Sequence, residues 1–497
     1  MHHRILSLLL ATWLVNAALA QEPMRVRIEQ LQQELDLQHH QLMLLQRSFG
    51  GQVTVQSASH HNDTASDCDC RDRTQYVPVV GDARTGQCDD CGQPETKSQH
   101  VVTHYVGYDK GFTIRPFNRR DYPFDLKFNG RIQLRHHGFA RDAATWTDNA
   151  GVTREILNRN AFDVERARLL LSGTVLDPRM SFFLQLDGDS DGNHGVDFFD
   201  YWFAWQLTEN IKIQFGKRKV SASRNWLLGA FDTMFVDRPM ATDFFRPDRT
   251  LGVWAVGKIG QRSHYELMIG NGYRTSNLST AQINDKLAGA FSHWMEIGDE
   301  AFGSTYADYE MHQSHVARFG HSFVAAAQSD TSSTGVPIPE SGFVRLTDGT
   351  VLTASGALAP GSRVNAFDIY MVSVDAAWKY NGFSLQGEYF LRWIDSISGT
   401  GPIPLNKLFD RGFFVQGSLY LIPKKVYVAG RISQIKGQFG DHYEYSAAVN
   451  WFVLNNRNFK VTFDVTTLDG SPLSNTTSDI LAGDDGVLFR TQVQARF

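Results

Sequence analysis

The chain has 497 residues, of which 42% are hydrophobic, a mean hydropathy of −0.29 and a formal net charge of −5. The mildly acidic balance gives no support for nucleic-acid binding, and beyond the N-terminal segment no apolar run reaches the about 18 residues that a spanning helix needs. A soluble chain of this length would form two or three domains. The negative mean hydropathy does not exclude a transmembrane β-barrel, because only alternate residues of a barrel strand face lipid.

Residues 1–20 have the pattern of a secretory signal peptide. Arg4 precedes an apolar run, and the segment ends in Ala-Leu-Ala at 18–20. The run is too short to cross about 30 Å of hydrocarbon as an anchor, and no cysteine follows the cleavage point for lipid attachment. We therefore expect export, with the mature chain beginning at residue 21.

Residues 21–49 have the periodicity of a helix that associates along one face. The repeating positions are Ile28, Leu31, Leu35, Gln38, Leu42, Leu45 and Phe49. This spacing predicts a parallel coiled coil, located in the periplasm. A single amphipathic helix packed on a domain is the alternative, and it is less favoured because the next segment offers no obvious domain.

Residues 50–111 are polar, which predicts a linker. They contain the four cysteines of the chain, Cys68, Cys70, Cys88 and Cys91. The C-x-C and C-x-x-C pairs would suggest zinc in a reducing compartment. Export favours disulfides between the two pairs instead, and zinc stays the alternative. No C-x-x-C-H occurs, so a c-type haem is not indicated.

The remaining residues, 112–497, repeat a two-residue alternation of apolar and polar side chains. At 124–135, for example, Phe, Leu and Ile alternate with Asp, Lys and Arg. The alternation recurs at 161–176, 180–187, 197–207, 211–217, 250–259, 263–270, 288–297, 313–327, 364–380, 383–394, 412–422, 425–435, 442–453, 457–468 and 487–497. These sixteen segments predict an all-β fold, a transmembrane antiparallel barrel of about sixteen strands with apolar residues outward; eighteen is the alternative.

The connections alternate in length, as barrel topology requires. Very short turns fall near 177–179, 208–210 and 260–262, and long connections fall near 137–160, 218–249 and 328–363. Outer-membrane barrels have short periplasmic turns and long external loops. One connection, around 298–312, is longer than a periplasmic turn should be. The last strand ends on Phe497, similar to the terminal signal read by the bacterial barrel-assembly machinery.

Several segments resemble the phosphate-selective porin O/P family. They are AFDVERARLLLSG at 161–173, FFLQLDGD at 182–189, FDYWFAW at 199–205, FGKRKVSASRNW at 215–226 and FVDRPMATDFFRPDRTLGVW at 235–254. The resemblance covers most of the barrel and implies an anion-selective outer-membrane porin that assembles as a homotrimer. It also implies that the third external loop folds into the lumen, where cationic side chains form a constriction. Inorganic phosphate or another small anion is the expected solute.

Cationic residues supply the candidate pathway. The third long loop and the strand residues leading into and out of it contribute Lys217, Arg218, Lys219, Arg224, Arg238, Arg246 and Arg249. Neighbouring strands contribute Lys127, Arg131, Arg135, Arg166, Arg168 and Lys212. Arginine matches phosphate with two parallel donors, and rings of such residues select anions. Asp200 matches an acid of the family motif and could accept a hydrogen bond from a protonated oxyanion. Glu165 departs from the motif, which more often has arginine there.

Other functions follow from other features of the sequence. A general porin, or one for sugars or organic acids, is favoured by the aromatic residues of the loop, Trp226, Phe231, Phe235, Phe244 and Phe245. A barrel enzyme would need a nucleophile–base pair near the rim, for which His315 and His321 are candidates, but no enzyme is expected. No cofactor is indicated. The N-terminal segment could contact the cell wall or stiffen a trimer.

Overall fold

The computed structural model describes residues 104–118, 123–188, 195–274, 280–282, 285–331, 342–474 and 479–497. The signal peptide, the coiled coil and the four cysteines predicted from the sequence lie outside the described residues, as does the linker as far as residue 103.

Twenty strands follow one another in the described part of the chain. They are β1 His104–Tyr108, β2 Phe112–Pro116, β3 Asp125–Arg141, β4 Thr145–Thr147, β5 Thr153–Glu155, β6 Arg159–Val175, β7 Asp177–Gly188, β8 Val196–Thr208, β9 Ile211–Lys219, β10 Arg249–Ile259, β11 Ser263–Gly270, β12 Ala288–Ile297, β13 Val316–Ser329, β14 Arg363–Tyr380, β15 Phe383–Thr400, β16 Leu408–Ile422, β17 Val426–Gly437, β18 Gly440–Phe452, β19 Phe459–Asp469 and β20 Gly486–Arg496. Short helices α1 Arg224–Leu227 and α2 Met240–Phe245 follow β9, and 3₁₀ turns occupy Ala230–Asp232 and Thr280–Gln282. None of the described helices has the length and apolar character needed to span a membrane.

Sixteen of these strands, β3 and β6 to β20, form a closed antiparallel barrel. Each pairs with the next, and β20 returns to β3 in a register that runs from Gly486 opposite Arg141 to Arg496 opposite Arg131. The β1–β2 hairpin adds two strands to the same sheet beside β3, and β4 pairs with β5 separately. The predicted barrel of sixteen strands is therefore confirmed.

The strand bounds differ from the prediction mainly at one end of the barrel. β3 continues to Arg141 and β15 to Thr400, because their neighbours keep pairing with them beyond the segments of clear alternation. The connection between β15 and β16 is consequently short and comprises only residues 401–407. The β1 strand lies within the predicted linker, and the first barrel strand begins at Asp125, one residue after the predicted start at 124.

Alternation places apolar residues outside the barrel and polar residues inside. In β15, Leu385, Tyr389 and Trp393 are exposed on the outer face, whereas Glu388 and Arg392 are buried inside. This distribution is inverted relative to a soluble protein and suits a wall with lipid outside. Interior charges are paired across strands, as in Arg392–Asp410, Arg431–Glu444 and Arg490–Asp464 at 2.7, 3.1 and 2.9 Å.

The long connection between β12 and β13 folds into the barrel from the end that has the short turns. Its backbone carbonyls accept hydrogen bonds from the wall: Lys379 Nζ donates to Phe302 O at 2.9 Å, and Ser384 Oγ donates to Tyr306 O at 2.7 Å. Tyr306 Oη in turn donates to Asn225 O at 3.0 Å. The unusual length of this turn is thus explained, because it supports the long loop that follows β9.

Candidate functional site: a basic cavity beside the lumenal loop

The connection 220–248, called the lumenal loop below, lies inside the barrel and is fixed to one side of the wall. A loop in this position needs acceptors for its backbone N–H groups, and interior carboxylates provide them. Glu388 accepts from Arg224 N and Asn225 N at 3.1 Å each, Asp464 from Val236 N at 2.9 Å, and Glu444 from Met240 N at 2.6 Å. These acceptors lie on β15, β19 and β18, so the loop follows the second half of the barrel.

Apolar packing completes this attachment. Phe245 of α2 stacks on Phe390 of β15 with ring centroids 5.3 Å apart, and Met240 belongs to the same buried cluster. Tyr273 Oη donates to Phe245 O at 2.5 Å. The other side of the lumenal loop consequently faces the first half of the barrel, where the family-like segments are densest.

Two β-bulges change which side chains in the first half of the barrel point into the lumen. Gln133 of β3 pairs with Arg166 and Leu134 with Val164, so Glu165 is an extra residue in β6. Gln185 of β7 pairs with Asp200 and Leu186 with Phe198, so Phe199 is an extra residue in β8. A bulge interrupts the strict alternation and re-aims side chains, and consecutive residues, Glu165–Arg166 and Phe199–Asp200, line the lumen as a result.

Between the lumenal loop and this wall lies a cavity of about 390 Å³. Among the described residues, its cationic lining consists of Arg131, Arg166, Arg168, Lys219, Arg238, Arg246, Arg249, Arg274 and Arg345. Its acidic lining consists of Glu165, Asp187, Asp200, Asp243 and Asp248. Nine cations against five carboxylates give this lining a formal charge of 9 − 5 = +4, although the whole chain is acidic.

The cations of the cavity fall into two groups. Arg168 pairs with Asp187 at 2.7 Å, and Arg249 holds both carboxylate oxygens of Asp200 at 2.8 and 3.1 Å. Arg246 pairs with Asp243 at 2.9 Å, Arg166 with Glu165 at 2.9 Å and Arg274 with Asp248 at 3.4 Å. Among the described residues, no carboxylate lies within ion-pair distance of the second group, which comprises Arg131, Lys219, Arg238 and Arg345.

Carbonyl groups and aromatic rings hold the second group in place. Arg238 donates to Asn225 O and Leu228 O at 3.2 and 2.9 Å, and Lys219 donates to Trp226 O at 2.6 Å. Three cations also lie near the ring of Trp226: Arg246 at 4.0 Å, Lys219 at 4.5 Å and Arg238 at 5.0 Å from the ring centre. Such contacts fix a cation without neutralising it.

The Asp237 carboxylate pairs with guanidinium groups of the wall and not with that of its neighbour Arg238, whose backbone N–H donates to Asp237 Oδ1 at 2.8 Å. Its carboxylate lies 3.3 Å from Arg135 and 3.1 Å from Arg166. Burial alone would raise the pKa of Asp237, but the guanidinium groups of Arg166 and Arg135 outweigh burial and hold this pKa well below its ordinary value. Asp237 therefore remains charged and joins the lumenal loop to β3 and β6.

Comparison with known proteins gives the family. The family model for phosphate-selective porin O and P matches residues 143–497, most of the chain and nearly the whole barrel. The chain belongs to this family of porins. No curated protein matches it. Similar solved structures include an anion-selective porin from Comamonas acidovorans, at 12% identity and a TM-score of 0.49 over 75% of this chain and 100% of that one. OmpT of Vibrio cholerae is similar at 11% identity and 0.46, over 75% and 98%.

The structure divides the fourteen pathway residues predicted from the sequence. Those that line the cavity of this porin are Arg131, Arg166, Arg168, Asp200, Lys219, Arg238, Arg246 and Arg249. Those outside the cavity lining are Lys127, Arg135, Lys212, Lys217, Arg218 and Arg224.

Most of the residues outside the cavity lining have partners that define their positions. Lys127 contacts Asp109 at 3.5 Å, Lys217 Nζ donates to Phe198 O at 2.7 Å, and Arg218 pairs with Glu266 at 3.0 Å. Arg224 contacts Gln386 and lies 4.0 Å from Asp375. Arg135 is enclosed by Glu165, Asp237 and Asp479, at 2.9, 3.3 and 2.9 Å. These cations stabilise the wall and the loop.

Some lining residues are not identified by the sequence patterns. Arg274 and Arg345 come from other external loops, and Phe199 enters the lumen through the bulge in β8. Arg249 lies 3.5 Å from the centre of the Phe199 ring, and Arg274 lies 4.5 Å from that of Phe343. In the sequence, Arg274 and the segment Phe343-Val-Arg345 form no recognisable motif. Their contribution to the cavity is therefore visible only in the folded structure.

Glu165, the departure from the family motif, is an internal anion next to the pathway. It is buried, and its carboxylate lies 2.9 Å from both Arg135 and Arg166. It therefore offsets positive charge where the motif more often adds it.

We expect the Glu165→Gln variant to bind phosphate more tightly. The substitution preserves side-chain shape and raises the formal charge of the lining from +4 to +5, and Arg135 retains Asp237 and Asp479 as partners. The phosphate concentration that halves the chloride current in planar bilayers should fall about tenfold, equivalent to about 1.4 kcal/mol. Asp177→Asn, at the start of β7 and outside the cavity lining, makes the same charge change and should leave this concentration unaltered. An unchanged value for Glu165→Gln would mean that this carboxyl group contributes no charge to the conducting path.

A nucleophile–base pair does occur on the outer face of the barrel. Ser263 Oγ and His293 Nε2 are 2.8 Å apart, and the rings of His293 and His321 have centroids 5.1 Å apart. His315 stacks between Trp378 and Tyr380. Among the described residues, no carboxylate orients His293, which catalytic triads require. The family and the fold indicate a channel.

Proposed function

We propose that this porin forms a water-filled outer-membrane channel that conducts small anions and favours phosphate. The observation that supports this most is the excess of cations over carboxylates around the 390 Å³ cavity. Arginine and lysine donors replace the hydration shell of an anion, and the surrounding protein strengthens their attraction relative to bulk water. Arg238, Lys219 and Arg131 carry the selectivity, because no described carboxylate pairs with them.

The proposed path continues in both directions from the cavity. Toward the external side it passes Arg274 and Arg345. Toward the other side it passes Arg131, which lies over the ring of Phe231 at 5.5 Å. A narrow pocket near Phe231 is lined by Arg457, Lys460 and Arg496. Asp200 serves to position Arg249, since that arginine holds both its carboxylate oxygens.

The aromatic residues of the lumenal loop fit this function better than sugar transport. Phe235 and Phe245 are buried in packing contacts with the wall and with the turn between β12 and β13. Trp226 and Phe244 line the cavity, but cations cover them: Arg246 lies 4.0 Å from the centre of the Trp226 ring, and Arg392 lies 4.3 Å from that of Phe244. A sugar ring stacks on an open aromatic face. A general or sugar-selective porin is the alternative that the experiment below separates.

The test is conductance of the purified porin in planar bilayers. Reversal potentials in a chloride gradient report the ratio of anion to cation permeability, and phosphate is then titrated at constant ionic strength. We expect strong anion selectivity and a chloride current that low phosphate blocks. A weakly selective current that phosphate does not alter would mean a general porin, and block by glucose oligomers instead would mean a sugar porin.

We further propose a homotrimer with the N-terminal segment in the periplasm. Residues 21–49 would form a coiled coil that stiffens the trimer or contacts the cell wall, and Cys68, Cys70, Cys88 and Cys91 would form disulfides. Maleimide labelling of denatured protein tests the cysteines: disulfides require prior reduction for labelling, whereas zinc-bound thiolates become reactive on chelation alone.

A further inference from the structure

At the point where the barrel closes, β3 extends farther than its partner. β20 pairs with β3 only as far as Arg496, opposite Arg131. Beyond it, Phe497 exchanges backbone hydrogen bonds with Gly130 at 3.1 and 3.0 Å. Residues 125–129 of β3 therefore continue past the end of the last strand. Unpaired backbone groups are costly wherever water is scarce, so an open strand edge beside lipid needs a partner.

The β1–β2 hairpin supplies that partner. β2 pairs with β3 through Phe112 opposite Phe128, Thr113 opposite Lys127 and Ile114 opposite Leu126. β1 pairs with β2 along five residues, and Asp109 of the hairpin turn lies 3.5 Å from Lys127. The hairpin thus continues the barrel sheet at the end that carries the short, periplasmic turns.

The two faces of the hairpin differ in chemistry. Its outer face consists of Val106, Tyr108, Phe112 and Ile114, which are 62%, 51%, 54% and 39% exposed. This face continues that of Leu126 and Phe128, and the ring of Phe112 meets that of Phe497 at 5.9 Å. On the other face Thr113 is buried, and Arg115 lies over the Tyr105 ring at 4.7 Å. The exposures of these four residues lie on either side of that of Phe463, an outward-facing barrel residue that is 47% exposed.

We infer that the 104–116 hairpin belongs to the membrane-embedded wall and that its outer face contacts the acyl chains of the periplasmic leaflet. The continuity with Leu126, Phe128 and Phe497 identifies lipid as the occupant, because those residues lie on the lipid-facing side of the barrel. Tyr108 suits the interface between acyl chains and headgroups, where water can hydrate the outer edge of β1.

Site-specific photocrosslinking tests this placement in the full-length porin. Benzoylphenylalanine replaces Phe112, a position that is exposed and already aromatic, and the porin is reconstituted in phosphatidylethanolamine–phosphatidylglycerol vesicles. We expect lipid adducts by mass spectrometry after irradiation. The matched control places the same residue at Thr113, one position along the strand and on the opposite face, where lipid adducts should be lost.

A second position protects the test against a folding defect at Phe112. Val106 is on the same face of the neighbouring strand, and the heat-modifiable migration of the folded barrel on SDS gels verifies each variant. Lipid adducts at Phe112 and Val106 but not at Thr113 support the placement. Equal adducts at all three positions, no lipid adduct at folded Phe112 or Val106 variants, or crosslinks to a second porin chain in place of lipid would overturn it.

Discussion

Replacing Arg238 with glutamine is expected to weaken phosphate block of the chloride current about tenfold or more. Arg238 lines the cavity and is held by Asn225 O and Leu228 O, with the Asp237 carboxylate paired with the wall, so its charge is available to a passing anion. A unit charge at about 4 Å contributes about 1–4 kcal/mol between the dielectric limits of water and a protein surface. Each 1.4 kcal/mol corresponds to a tenfold change in affinity. Reversal potentials should move toward those of a less selective channel.

Two further variants show whether the effect belongs to the cavity. Lys219→Gln removes a second cation from the same lining and should act in the same direction. Arg179→Gln removes an exposed cation that pairs with Asp177 at the start of β7 and should change neither block nor selectivity. Equal loss of block in all three variants would assign selectivity to the general charge of the porin, and no loss in any of them would exclude this cavity as the site of block.

The barrel could be predicted from the sequence because its rule is local. Alternation in a strand such as β15 depends only on lipid outside and water inside, and each strand repeats the rule independently. Where the alternation fails to predict the structure, the reason is also physical. The bulges at Glu165 and Phe199 reverse the alternation within a strand, and no local signal marks them. The strand extensions at Arg141 and Thr400 depend on their neighbours.

The membership of the cavity could be predicted only in part. Arg166, Arg168 and Arg135 are all candidates because each is a cation on the lumen-facing side of its strand. Only Arg166 and Arg168 line the cavity. All three arginines pair with carboxylates, and what separates them is enclosure. Arg135 is surrounded by Glu165, by Asp237 from the lumenal loop and by Asp479 from an external loop, whereas Arg166 and Arg168 also line the cavity. Asp237 and Asp479 are 102 and 344 residues from Arg135 in the sequence. A sequence pattern therefore identifies cations that face the lumen, whereas the fold determines which of them remain uncompensated.

The Asp237→Asn variant is expected to loosen the lumenal loop. Its carboxylate contacts Arg135 and Arg166, all three side chains are buried, and Arg431 Nη2 donates to its backbone oxygen at 2.9 Å. Removing one partner from a buried ion pair costs about 3–5 kcal/mol. We expect the folded form to unfold at a lower temperature on SDS gels and single-channel current to fluctuate more. Asp177→Asn, an exposed carboxylate, is the control and should do neither.

The pH dependence of this tether follows from the lowered pKa of Asp237. A carboxylate whose folded-state pKa is depressed stabilises the fold above its unfolded value of about 3.9 and loses that contribution as pH falls through the folded value. The pKa of Asp237 is held well below the ordinary value, so the contact with Arg166 should persist at pH 4–5. Wild-type current should stay quiet in that range while Asp237→Asn fluctuates at every pH. Equal noise in both proteins at neutral pH would show that packing of Phe245 on Phe390 is sufficient to hold the loop.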